Sequence, residues 1–165
     1  MNTRIGILTG GGDCPGLNAV IRAVVVAASK HGWTTFGFLG GFEGLLTPVR
    51  TRVLDPDDMD GLLFLGGTIL GTSNSGRFAA KVGHGEKREI DPGIIAEAKG
   101  NFDRLGLRAL VVVGGDGSLS IAQQLHAGGV PVIGVPKTID NDIAGTTVTF
   151  GFDTAVAFAT DALDR

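Results

Sequence analysis

Three times along this chain a short, apolar, largely β-branched run ends in a loop containing glycine or aspartate that opens towards a helix-forming stretch. Arg4–Thr9 runs into GGGDCPG, Arg108–Val113 into GGDGS, and Val130–Val135 into PKTIDND. Runs this short and this apolar read as strands buried on both faces, the signature of a parallel sheet. Strands alternating with helices through right-handed crossovers give an α/β domain with helices covering both sheet faces. In such open sheets ligands sit beyond the carboxyl ends of the strands, so the three loops are expected to converge on one site.

The intervening stretches supply the other elements. Asn18–Lys30 has helical character and breaks at His31-Gly32, and Thr34–Leu39 reads as a second strand. Asp55-Pro56 and Asp91-Pro92 both carry a helix-start signal, aspartate as cap and proline in the first turn. The second leads into Gly93–Leu105, the GGDGS loop into a helix Leu119–His126, and a last helix begins near Phe152. Residues 66–89 lack apolar periodicity and read as a long functional loop. No internal repeat or interdomain linker divides the 165 residues, so one domain is expected.

Glycine is the compositional outlier. There are 28, against the roughly 12 that average usage would give. They cluster in the loops just named, where backbone must turn tightly or come close to a ligand. A net charge of −3 and a pI near 5.5 argue against a nucleic-acid or anionic-membrane partner. No apolar run reaches the roughly 18 residues needed to span a bilayer. One cysteine, Cys14, rules out an internal disulfide framework and fits a reducing, cytoplasmic setting.

Each loop has a chemical reading and a plainer one. Amides of Gly10–Gly12, at a helix start, can hold phosphate oxygens, or the loop is simply a tight turn. It matches neither the dinucleotide GxGxxG nor the Walker pattern. Asp116, at a buried strand's tip among glycines, is placed to hold Mg²⁺ beside a polyphosphate. Ser118 caps the next helix or bonds a phosphate. Asp140 and Asp142 can divide the work of proton acceptor and metal organiser, or Asp and Asn here form an Asx-turn with their own backbone. His31, His84 and His126 lack metal-ligand spacing. Cys14 is read as a small residue in a tight loop before any redox role, and Trp33 and the phenylalanines as core or interface.

Taken together, GGGDCPGLNAVIR, GGTILGTSN, VVVGGDGSL, PKTIDND and FGFDTAVAFATDALDR resemble the phosphofructokinase family in order and spacing. The resemblance implies that family's N-terminal, Rossmann-like domain, a three-layer α/β fold with a mostly parallel sheet. It implies Mg²⁺-dependent phosphoryl transfer from ATP to the 1-hydroxyl of fructose 6-phosphate. In that role Asp140 is the general base, Asp142 supports the same centre, and Thr138 contacts the sugar. Gly11 and Gly12 offer amides to the transferring group, Asp116 holds the metal, and Gly115, Gly117, Ser118 and Asn74 belong to the nucleotide site.

Two positions bear on the donor. Gly117 leaves room for a nucleotide's α-phosphate where pyrophosphate users commonly carry Asp, whereas Lys137 is the residue pyrophosphate users typically carry. The combination resembles a mixed bacterial group that uses ATP, with pyrophosphate as the alternative. Asn74 stands where bacterial ATP enzymes have a phosphate-binding arginine, which Arg77 or Lys81 could replace. Val26 stands where allosterically regulated members carry a second arginine, which removes the expectation of ADP activation. The match covers about the first half of a family member, and full-length members are homo-oligomers. The sugar-phosphate domain is therefore expected to be absent, leaving donor site and base, or a non-catalytic nucleotide-binding module. Lipid and NAD kinases share the GGDGS loop but lack PKTIDND.

Overall fold

The computed structural model describes residues 2–73, 76–78 and 89–165. Strand β1 (Arg4–Thr9) feeds helix α1 (Leu17–Lys30), which returns to β2 (Thr34–Phe38). After β3 (Thr51–Leu54) come α2 (Pro92–Arg104), β4 (Leu107–Gly114) and α3 (Asp116–Ala127). Strand β5 (Val132–Thr138), the two-residue β6 (Phe150–Gly151) and α4 (Phe152–Leu163) complete the described chain. The sheet order is β3-β2-β1-β4-β5-β6, with every pairing parallel except β2–β3.

From β1 the chain first moves outward to β2, and later re-enters on β1's other side as β4. The carboxyl ends of β1 and β4 therefore flank the point where winding reverses, the usual place for a ligand crevice. Alternation along β4 feeds two cores. Leu110 and Val112 pack with Leu8, Phe38 and Phe102 under α2 and α3, while Val111 and Val113 pack with Ile7, Leu17 and Ile21 under α1. Helix α1 presents Leu17, Val20, Ile21, Val25 and Ala28 to the sheet, the spacing of one helical face. Three layers result, as the sequence pattern implies.

Several elements differ from expectation for local reasons. Asp55 does cap a helical start, its Oδ1 accepting from the Asp57 amide at 3.0 Å, but only a 3₁₀ turn, Pro56–Met59, follows. Strand β3 is an addition to the expected elements: it is a four-residue edge strand with Arg52 and Val53 exposed, too short to show a period. Strand β5 lies later than Val130–Val135, so Pro136, Lys137 and Thr138 are strand rather than loop. Helix α3 begins at Asp116, three residues before Leu119, which puts Asp116, Gly117 and Ser118 of GGDGS in its first turn. Ser118 is consequently inside the helix, and the cap position falls to Gly115 with no side-chain cap. The helix start at Asp91-Pro92 is as read, the Gly93 amide donating to Asp91 Oδ1.

Candidate functional site

A cavity of about 560 Å³ lies over the carboxyl ends of β1, β4 and β5. It gathers Gly11 and Gly12 from the first loop, Gly115–Ser118 from the second, and Lys137 and Thr138 from the third. The convergence inferred from strand order is thus realised in space. A second cavity of about 600 Å³, between α2 and α3, contains none of the candidate site residues.

The glycines here do different jobs. The amide of Gly10 donates to Val113 O at 2.8 Å, prolonging the β1–β4 zipper beyond the strands. A Cβ on Gly10 would lie 2.6 Å from Ser118 Oγ, and one on Gly114 2.4 Å from Ser118 Cβ. Those two glycines admit buried Ser118 between the loops. Gly11 has φ +79°, in the left-handed region. Gly12 and Gly117 are otherwise: neither has a left-handed φ, and a Cβ on either would meet nothing within 4 Å. Both border the cavity, so their missing side chains serve space rather than folding.

Charge in the cavity is uneven. Asp13, Glu43 and Asp116 line it, and Lys137 is the one cationic side chain there among the described residues. Lys137 is 5% exposed, and its Nζ donates to Gly12 O at 2.7 Å. The amino end of α3 adds partial positive charge from its free amides. A polyphosphate entering against three carboxylates needs accompanying positive charge. Among the described residues no cluster of three or more His, Cys, Asp or Glu could hold a metal alone. Exposed Asp13 and Asp116, beside an open, amide-lined space, could hold a cation such as Mg²⁺ only together with ligand oxygens or water.

Thr138 and Ile139 join the cavity wall, and Asp140, next in the chain, is not part of its lining. The Asp140 amide donates to Thr138 Oγ1 at 3.1 Å, and that hydroxyl reaches Asp140 Oδ2 at 3.4 Å. Both the Asp140 and Asp142 carboxylates are exposed, and neither lines the cavity. The turn is organised by Asn141, at φ +51°, whose side chain accepts from the Thr149 amide and donates to Thr147 O. Asn141 thus performs the Asx-like bonding, towards residues 147–149, leaving both aspartates outward-facing.

Other marked residues fall elsewhere. Asn74, Lys81 and His84 lie outside the described residues. Arg77 does not line the cavity; it pairs with Glu97 at 2.7 Å. The Thr47 amide and Arg77 together hold the Glu97 carboxyl below its usual range. Burial pushes the Cys14 thiol up, opposed by Lys137 and reinforced by Asp13. Its Sγ donates to Pro15 O at 3.3 Å, a packing role.

The sequence reading missed an apolar end of the cavity: Phe42, Phe78 and Ile121. The two phenylalanine rings lie 5.5 Å apart and tilted, and the Phe78 amide donates to Glu43 Oε1. Phe42 follows Gly40-Gly41 just beyond β2, a fourth strand end at the same sheet edge. Applying the strand-end rule there would have found it.

The family model described as Phosphofructokinase matches residues 4–165. An ATP-dependent 6-phosphofructokinase of Chloroflexus aggregans is 57% identical over 162 residues, covering 98% of this chain and 45% of the relative. A pyrophosphate–fructose 6-phosphate 1-phosphotransferase of Amycolatopsis methanolica is 48% identical over 163 residues, covering 98% and 44%. The solved phosphofructokinase of Saccharomyces cerevisiae superposes with a TM-score of 0.81 at 30% identity, over 99% of this chain and 24% of that one. The chain spans a little under half the length of the curated relatives it matches.

Proposed function

The chain belongs to the phosphofructokinase family, and from that premise we propose that it carries the donor site and general base for ATP-dependent phosphorylation of fructose 6-phosphate. The observation that carries this reading is the pair Gly12 and Gly117, glycines that neither φ nor packing requires, bordering one cavity. Space kept open at two amide-rich turns is space for phosphate. The apolar end built by Phe42, Phe78 and Ile121 favours a nucleotide, since pyrophosphate has no apolar part to place there.

In this reading the Gly11 and Gly12 amides and the start of α3 receive the phosphoryl oxygens as charge builds on them. Each such donor contributes on the order of 10²–10³ in rate. Asp116 would hold Mg²⁺, which neutralises the polyphosphate and shields its charge during transfer. Asp140 takes the proton from the 1-hydroxyl, held by its bonds to Thr138. Asp142 supports that centre, and Thr138 positions the sugar. Reaction then depends mainly on alignment of acceptor oxygen and phosphorus.

Pyrophosphate is the second reading, and Lys137 is the observation that favours it: a buried ammonium suits a compact dianion. Calorimetric titration of the chain with Mg-ATP and, separately, Mg-pyrophosphate decides between them. One-to-one binding of Mg-ATP, weakened on the order of a hundredfold or more in Gly117→Asp, is expected from the repulsion an added carboxylate brings. Tight pyrophosphate binding without ATP binding would overturn the ATP reading. In a coupled assay for fructose bisphosphate, Asp140→Asn should lower any turnover by about 10²–10⁴ without weakening donor binding.

A further inference from the structure

Asn18 is a buried polar residue that the proposed reaction leaves unused. It is 3% exposed in the first turns of α1, and its side chain is fully engaged by one distant segment. Nδ2 donates to Leu65 O at 2.9 Å and to Gly66 O at 3.4 Å, while Oδ1 accepts from the Ile69 amide at 2.9 Å. A single amide therefore closes both ends of the turn 65–69. Two more ties fix residues 68–71. Thr9 Oγ1, at the tip of β1, bonds Thr68 Oγ1 at 2.9 Å and Gly71 O at 3.0 Å. The Gly40 amide donates to Leu70 O at 2.9 Å.

The tied segment leads into one wall of the donor cavity: residues 65–71 do not line it, but Ser73, two residues on, does. Gly67, at φ +73°, comes so near the first loop that a Cβ there would stand 2.7 Å from Asp13 Oδ2. Asp13 and, six residues beyond Gly67, Ser73 both line the cavity. Asn18 belongs to the helix that leaves the first glycine loop, so its amide ties that helix to the segment that runs on to Ser73. A hydrophobic residue could fill that buried volume but would leave the Leu65 carbonyl and the Ile69 amide without their partner. Full use of an amide, donor and acceptor both, indicates that a fixed distance is being held.

We infer that Asn18 is a positioning residue for donor binding, setting the distance between the first glycine loop and the segment ending at Ser73. The inference rests on the cavity being the donor site. The test is calorimetry with Mg-ATP on the chain and its Asn18→Ala, Ser73→Ala and doubly substituted forms, beside hydrogen exchange of amides 65–71.

Stranding the Leu65 carbonyl and Ile69 amide should raise the Kd about tenfold in Asn18→Ala, with one-to-one stoichiometry kept. Exchange should quicken at 65–71 and not in β4. Because Asn18 acts through that segment, the double variant should bind no more than about twofold worse than Asn18→Ala alone. A merely structural role would lower the binding-competent fraction at unchanged Kd, and independent effects would multiply; either result overturns the inference. If Asn18→Ala does not fold, Thr68→Val, which cuts the tie to Thr9, should raise the Kd severalfold, and an unchanged Kd there overturns it equally. If the parent chain binds neither donor, the donor-site reading falls. Exchange then still decides whether Asn18 holds the segment: unchanged protection at 65–71 in Asn18→Ala sinks that too.

Discussion

Helices α1 and α4 are built from similar residues, yet one is covered and the other bare. LNAVIRAVVVAASK buries Leu17, Asn18, Val20, Ile21, Val25 and Ala28, whereas FDTAVAFATDAL buries nothing. Phe158 is 67% exposed and Leu163 86%. The strands repeat the contrast. In β4 Leu110–Gly114 are all buried; in β5 only Lys137 is, and Ile133 is more than half exposed. The lesson concerns what an apolar pattern specifies. It marks a face that gains by leaving water, not the element that will cover it.

The sharpest way to break the comparison is to remove equivalent bulk from each side. Leu110→Ala, in the middle of β4, should cost about 2–5 kcal/mol of unfolding free energy. Phe158→Ala, on α4, should change stability by no more than about 0.5 kcal/mol. Chemical denaturation of both variants measures the difference. Equal losses would mean that α4 is covered in solution, by a second copy or by a partner.

A smaller effect sits at the seam between the two sides. A Cβ on Gly151 would lie 2.1 Å from Cys14 Sγ, and the residue has φ +111°. Gly151→Ala should destabilise by about 1–3 kcal/mol. Hydrogen exchange should place the loss at the start of α4 and the first loop, leaving β1 and β4 protected. Uniform loss of protection would show that the two sides unfold as one.

The smallest expected effect is a pH dependence at the same seam. Burial raises the Cys14 thiol pKa, so the folded chain holds that proton more tightly than the unfolded one. Its contribution is complete below the unfolded thiol's pKa and is lost as pH rises through the folded value. Stability measured across the alkaline range should therefore fall more steeply in the parent than in Cys14→Ser. Identical slopes would mean the thiol is solvated in both states.

The covered side is also the side that is legible in the sequence. Strands β1 and β4 announce themselves because burial on both faces leaves uninterrupted apolar runs, and Asp91-Pro92 marks its helix by cap chemistry alone. Strand β3 does not, since an edge strand with Arg52 and Val53 in water carries no period. Helix α3 starts earlier than its pattern suggests because GGDGS reads as loop, whereas Asp116, Gly117 and Ser118 form the first helical turn. In the site, the glycine cradle and Thr138 can be found because residues crowded at strand ends share an edge. Phe78 and the part played by Asn18 cannot: Phe42 and Phe78 are 36 residues apart, and Asn18 reaches 51 residues along the chain to Ile69. Local pattern contains no term for such reach.

Ser118, wedged between Gly10 and Gly114, has a thermodynamic consequence for whatever the cavity receives. One hydroxymethyl group in contact with both turns leaves neither free to wander separately, and the Gly10–Val113 bond ties the same point from the backbone side. The amides around the cavity are accordingly ordered when the chain folds, not when a ligand arrives. Little configurational entropy is left to lose on binding, so affinity here should derive from a stiff host rather than from many contacts. Enlarging that wedge to threonine, or shrinking it to alanine, would then be felt in the entropy of binding before it was felt in the enthalpy.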